Sequence, residues 1–279
     1  MIKHSEYLNK KKDAVLDNGS MTAELFDFYM GIFLAQDEFT SKAGDFEEYT
    51  DFFENDAFPV LKADELVLND DTKSLLYDLM LKLTEVISNV NEGMDFSRFK
   101  ENFKNDADSL LRGLLKQDYP FLEKKGADCR LALDEFIFVI HNVFKPFMVA
   151  LKNKSGIKPG KEDWMESACP FCGYLPDMSK IVEAKENQRH LHCAICENEW
   201  EFPRLVCPAC GCNDQTRHGF FEYEDNNLYR VYYCDECRHY IKNVRIPKLK
   251  EESGFDLAVE DIITNFLDAA MIDKGYKRI

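Results

Sequence analysis

Cys169-Pro170-Phe171-Cys172-Gly173 and Cys207-Pro208-Ala209-Cys210-Gly211 decide how the second half of this chain folds. Each places two thiols three residues apart. Two thiolates at that spacing grip one ion from a tight turn, and a second pair completes a tetrahedron. The proline after the first cysteine sets φ near roughly −65°. The glycine after the second cysteine permits a positive φ. Two further pairs, Cys193/Cys196 and Cys234/Cys237, follow at hairpin-length intervals, with Glu197 and Arg238 where glycine would sit. Of the ten cysteines only Cys129 and Cys212 fall outside this scheme.

Eight thiols in four pairs are the ligand count for two four-cysteine metal sites. The stretch between Cys196 and Cys207 is much shorter than the other two intervals. That favours Cys169, Cys172, Cys193 and Cys196 on one ion and Cys207, Cys210, Cys234 and Cys237 on the other. A crossed arrangement, first pair with third and second with fourth, stays open. Tetrahedral sulfur sites accept zinc or iron, and the sequence does not choose between them. Four thiolates leave no open position, which speaks against Lewis-acid hydrolysis. The metals then either staple a small β module or carry electrons and sense redox state. Thioredoxin-type exchange needs a low-pKa pair at a helix start within a βαβ pattern, and nothing here supplies one.

Working outward, Lys180–Ala184, Arg204–Val206 and Leu228–Tyr233 suit short strands, with the turn-prone Glu224–Asn227 before the last. Leu257 to about Tyr276 returns to helix, with Val259, Ile262, Ile263, Phe266, Ala270 and Met271 facing one way. Upstream, residues to about 152 have helical spacing: Leu25, Phe28, Tyr29, Ile32 and Phe33 form one stripe, and Leu75, Leu76, Leu79, Leu83, Val86 and Val90 another. Phe58–Leu61 reads as an extended or turn segment. Phe136–Leu151 is apolar enough to be buried on most sides, and Pro146 is expected to kink or split it. Asn153–Lys161 is the candidate linker. Its Gly-x-x-x-Gly-Lys is one residue short of a phosphate loop and lacks the Ser or Thr that would hold Mg²⁺. The expected fold class is α+β: a helical domain over 1–160, a first rubredoxin-like module over 161–204, and a second over 205–279 with a C-terminal helix.

The formal charge is −16, from 35 basic and 51 acidic side chains. Metallated thiolates deepen it, and a phosphate backbone is attracted by the opposite sign, so nucleic acid is an unlikely main partner. No run of apolar residues is long enough to span a membrane, and no apolar segment follows the N-terminal lysines as a secretory signal requires. Paired thiols without an export signal point to a reducing compartment and a cytoplasmic protein. Acidic pairs such as Glu47/Glu48 and Asp70/Asp71 read as solvated surface, so no catalytic residue is expected. His190 and His192 alternate on one strand face, His239 lies near a metal or the surface, and His141 reads as a core histidine. Cys212 is a spare or packing thiol, Cys129 a residue of the helical part, and Trp200 a filler of the ribbon core.

The order Cys169-Pro-Phe-Cys-Gly-Tyr-Leu-Pro176, Arg189-His-Leu-His-Cys-Ala-Ile-Cys-Glu-Asn-Glu-Trp200, Arg204-Leu-Val-Cys-Pro-Ala-Cys210 and Cys234-Asp-Glu-Cys237 resembles the formate dehydrogenase accessory protein family. So does Leu267–Tyr276, which is similar to that family's last helix. The resemblance covers roughly 165–276. It implies a helical domain followed by two rubredoxin-like modules, with the eight paired cysteines as metal ligands and iron as an alternative to zinc. It also implies a non-catalytic maturation factor that engages the molybdenum- or tungsten-containing catalytic subunit of formate dehydrogenase. The chain stops at Ile279 without the Pro- and Phe-containing tail often found in that family.

Overall fold

The computed structural model describes residues 3–54, 57–91, 93–157, 164–223 and 227–279. Two compact units emerge. The first comprises Met1–Lys12, Thr22–Ile157 and Phe171–Tyr174, and the second Asp13–Met21, Lys158–Pro170 and Leu175–Ile279.

Helices dominate the N-terminal part: α1 (His4–Asp17), α2 (Ala23–Lys42), α3 (Asp70–Val90), α4 (Ser97–Lys116), α5 (Tyr119–Asp128) and α6 (Leu133–Ser155). Their starts follow capping chemistry. The Thr22, Asn69 and Asp118 side chains accept backbone N–H groups at the heads of α2, α3 and α5. The apolar stripes are where the spacing puts them, but rotated. In α2, Phe26, Ile32, Phe33 and Phe39 are buried, while Leu25, Phe28 and Tyr29 are only half-buried. In α3, Leu76, Leu79 and Leu83 are buried with Met80 and Ile87, whereas Val90 is exposed. The Phe58–Pro59 peptide is cis, within the expected turn.

Pro146 does not split α6, which runs unbroken to Ser155. The missing N–H of Pro146 would leave the carbonyl of Asn142, four residues earlier, without its helical donor. The buried Gln36 side chain supplies one instead: its Nε2 donates to that carbonyl at 2.9 Å. The helix therefore takes in Asn153–Ser155 of the expected linker and ends at Gly156, φ 63°. The rest of that linker from Lys158, with the imperfect phosphate-loop motif, lies outside the described residues, as does most of the expected Glu224–Asn227 turn.

The second unit is built on one seven-stranded sheet. Its strands are β1 (Pro176–Val182), β2 (Gln188–Cys193), β3 (Glu199–Glu201), β4 (His218–Glu222), β5 (Tyr229–Cys234), β6 (His239–Ile246) and the short β7 (Lys277–Arg278). The order is β3-β2-β1-β6-β5-β4, with β7 also against β6. Each cysteine module contributes an antiparallel meander. The two are joined where β1 and β6 run parallel, from Met178 opposite Lys242 to Val182 opposite Ile246. The expected Arg204–Val206 strand is instead a turn. Pairing of β2 with β3 continues as far as the Phe202 N–H, which donates to the Arg189 carbonyl at 2.9 Å; Pro203 then offers no donor to extend it.

The C-terminal helix is two helices, α7 (Leu257–Ile263) and α8 (Asn265–Asp273). Thr264 departs from helical geometry between them and its Oγ1 donates back to the Glu260 carbonyl at 2.7 Å. Leu257 of α7 packs on Met178, Val182, Tyr229, Val244 and Ile246, and Met271 of α8 on Val231, Tyr240 and Tyr276. Ala270 is exposed, contrary to its expected place on the apolar stripe. Beneath these helices Lys242 is almost fully buried: its Nζ meets carboxylates of Asp261 at 2.9 Å and Asp268 at 2.5 Å.

Candidate metal centres

The structure gathers the paired thiols into two clusters. One is Cys169, Cys172, Cys193 and Cys196; the other is Cys207, Cys210, Cys234 and Cys237. Within each, all four sulfurs lie within 4.8 Å of one another. The grouping is sequential, not crossed.

Four loops present these sulfurs in the same way. The residue after each second cysteine has a positive φ: Gly173 at 77°, Gly211 at 71°, Glu197 at 56° and Arg238 at 59°. This left-handed turn folds each loop back on its first thiol. At Cys207 the Ala209 N–H points at the sulfur, 3.4 Å away. The loop geometry thus overrides residue preference at Glu197 and Arg238. Arg238 is held by other contacts: its guanidinium lies over the Tyr276 ring at 3.9 Å and donates to Asp235 and to the Lys274 carbonyl.

The dimensions suit a tetrahedral ion. A metal–sulfur bond of about 2.3 Å gives a tetrahedron with an edge of about 3.8 Å. The sulfur separations are 3.6 Å for Cys169–Cys196, 3.7 Å for Cys207–Cys237 and 3.9 Å for Cys210–Cys234. Electrostatics agrees. Burial pushes the Cys207 thiol up to about 11, against the backbone N–H groups of Ala209 and Cys210, which favour the thiolate. A divalent cation reverses that balance, because a coordinated thiol gives up its proton. The donor set therefore fits zinc or iron, and such an ion would cross-link loops far apart in sequence.

The two clusters differ in exposure. All four thiols of the first are buried, whereas Cys210 is exposed and Cys237 half-buried in the second. Cys212 is not merely a spare thiol. With His218 and Cys234 it forms a third group of potential ligand atoms within 4.8 Å, overlapping the second cluster at Cys234. Sequence reasoning passed over His218, which the structure places at the start of β4, opposite Cys234.

Both strand histidines turn inward. His192 Nδ1 sits 2.7 Å from an Asp177 carboxylate oxygen. His190 is buried, and burial, then the Lys180 charge, lowers it to about 4, so it is neutral at physiological pH. Lys180 is itself paired with Glu199 at 2.5 Å and Glu252 at 3.0 Å. His239 Nδ1 contacts the Cys237 carbonyl at 2.9 Å, close to the second cluster. His141 is half-buried in the first unit against the Tyr174 ring. Trp200 is fully buried, its Nε1 donating to the Glu166 carbonyl at 2.9 Å, and Cys129 is buried among the helices.

Residues 168–204 match the family model for the FdhE central domain. The cysteine-rich part of this chain is similar to the FdhE proteins. Over 112 residues it is 34% identical to the "Protein FdhE homolog" of Shewanella sp. (strain MR-4), covering 40% of this chain and 36% of that one. The homologue of Shewanella oneidensis is 33% identical over the same share. The match thus spans just over a third of these FdhE relatives' length. A crystal structure of the FdhE protein from Pseudomonas aeruginosa shares the fold, with a TM-score of 0.59 over 99% of this chain and 92% of that one at 14% identity. Among the described residues no helix is long and apolar enough to cross a membrane.

Proposed function

We propose that this chain is an accessory factor for the assembly of formate dehydrogenase, that it binds the immature catalytic subunit in the cytoplasm, and that it is not itself an enzyme. The observation that carries the reading is the FdhE central domain match over 168–204, which contains the first cluster whole. In this reading Cys169, Cys172, Cys193 and Cys196 hold one ion and Cys207, Cys210, Cys234 and Cys237 the other, each zinc or iron. Four thiolates saturate a tetrahedral ion and leave no place for a substrate, so the metals shape the surface that meets the client.

The test is a deletion strain. Formate dehydrogenase activity falls while the transcript of the catalytic subunit is unchanged, and affinity purification of the chain retains that subunit. Normal activity in the deletion strain, with no redundant factor present, overturns the proposal.

A second reading has its own support in the exposure of Cys210 at the second cluster. An iron ion there would lie near solvent, as an electron carrier requires. Reversible bleaching and recovery of a visible iron–thiolate absorption on reduction and re-oxidation would favour this rubredoxin-like role.

A further inference from the structure

Beside the second cluster lies a cavity of about 280 Å³, walled by residues from both cysteine modules. Arg189 of β2, a buried side chain only 3% exposed, forms part of its lining. Its Nη1 makes one long hydrogen bond, 3.4 Å to the Val206 carbonyl. Its Nε and Nη2 have no acceptor among the described residues. The Phe202 and Tyr232 rings lie 5.9 and 5.5 Å from the guanidinium, which positions the cation without satisfying its N–H groups. Leaving buried donors of a charged group unpaired is costly, so a fold that does so keeps them for something else.

The rest of the lining points the same way. Arg204 and Arg230 also face the cavity, and none of the lining side chains is an Asp or Glu. In a chain of formal charge −16, three arginines along one cavity concentrate positive charge there, although Arg230 is paired with the Glu222 carboxylate. Between the arginines the walls are apolar, with Ile181, Leu205, Pro208 and Ile241 among them. The volume falls at the small end of ligand pockets.

We propose that this cavity binds a small organic anion: a carboxylate or phosphate ester on a compact apolar body, its charged group held by Arg189. Burial lowers the Arg189 guanidinium only to about 10, so it remains a cation at neutral pH. The competing account is that Arg189 simply balances the thiolate charge of Cys207 through space. That account uses the charge but leaves the donors idle, and it does not explain the cavity or the presence of Arg204 beside it. The proposal is independent of the assembly role.

The test uses the full, metal-loaded chain with benzoate, phenyl phosphate, inorganic phosphate and the neutral isostere benzamide, followed by calorimetry or by NMR of the ligand. Benzoate or phenyl phosphate is expected to bind saturably, at least tenfold more tightly than benzamide; which of the two is tighter identifies the anionic group. Arg189→Gln is expected to weaken that binding at least tenfold with metal content unchanged. Arg204→Glu, at an exposed position, weakens it severalfold and keeps the test informative if the first variant does not fold. Equal binding of benzamide, binding of inorganic phosphate alone, no saturable binding, or charge variants that bind as the parent does would each overturn the proposal. An Arg189→Gln chain that changes only in metal affinity would assign the side chain to charge balance instead.

Discussion

Replacing Cys169 and Cys172 together by serine tests the metal assignment most directly. The structure places these two thiols with Cys193 and Cys196 and with no member of the second cluster. The expected metal content therefore falls from two ions per chain to one. The energetic consequence is local but large. Ligation of a structural ion is worth roughly 10–16 kcal/mol in small zinc domains, about as much as the whole stability of an ordinary domain at roughly 5–15 kcal/mol. The first module should lose its packing. Trp200 reports this, because it is fully buried on β3 and hydrogen-bonded to the Glu166 carbonyl. Its emission should shift to the red. The second cluster should stay loaded, since β4, β5 and β6 carry or flank its ligands and pair with one another. The assay is metal analysis by mass spectrometry on the purified variant, with fluorescence on the same sample. A chain that keeps two ions, or loses both in proportion, would refute the assignment of separate sites.

Three other outcomes follow from the same geometry. A chromophoric chelator should withdraw the ions in two phases, the faster from the second cluster, where Cys210 is exposed; a single phase, or prior loss from the first, would contradict this. Lys242→Met should destabilise the metal-loaded chain by about 3 kcal/mol in urea at neutral pH, because it takes the buried ammonium from between Asp261 and Asp268 and leaves Arg278 as their remaining cation, and adding Asp268→Asn should recover part of the loss; a cost below about 1 kcal/mol would remove Lys242 from the stabilising network. His190 is lowered to about 4 in the fold against 6.5 when free, so its contribution is complete above pH 6.5 and is lost as pH falls toward 4. Relative to His190→Gln, the parent chain should therefore lose about 1.4 kcal/mol between pH 7.5 and pH 5.5, and parallel pH profiles would show that His190 is not buried neutral.

The four cysteine pairs made the two thiol clusters legible, because the short stretch between Cys196 and Cys207 favours the sequential grouping that the structure has. Gly173 and Gly211 announced their left-handed turns; Glu197 and Arg238 did not, since there the loop imposes a conformation that the side chain does not favour. The continuity of α6 was hidden for a different reason. Pro146 signals a break, and the Gln36 amide that repairs it comes from another helix, far away in sequence. His190 and His192 alternate as a strand requires, but alternation says which residues share a face and not whether that face is covered. The cover comes from elsewhere in the fold: Lys180, Glu199 and Glu252 lie near His190, and the Asp177 carboxylate meets His192. The cavity at Arg189 was equally out of reach, because its walls come from strands that meet only through the β1–β6 pairing.

That parallel pairing also sets an order of events during synthesis. The last thiol of the first cluster is Cys196, and β2 and β3 are complete by Glu201. The partner of β1 on its other side, β6, is not finished until Ile246. Pairings between strands so distant in sequence form late, after the intervening chain has been closed into a loop. On a growing chain the four thiols of the first cluster can therefore come together while β1 still presents an open edge. The second module then brings the strand that seals it, so that assembly of the first thiol cluster precedes closure of the sheet.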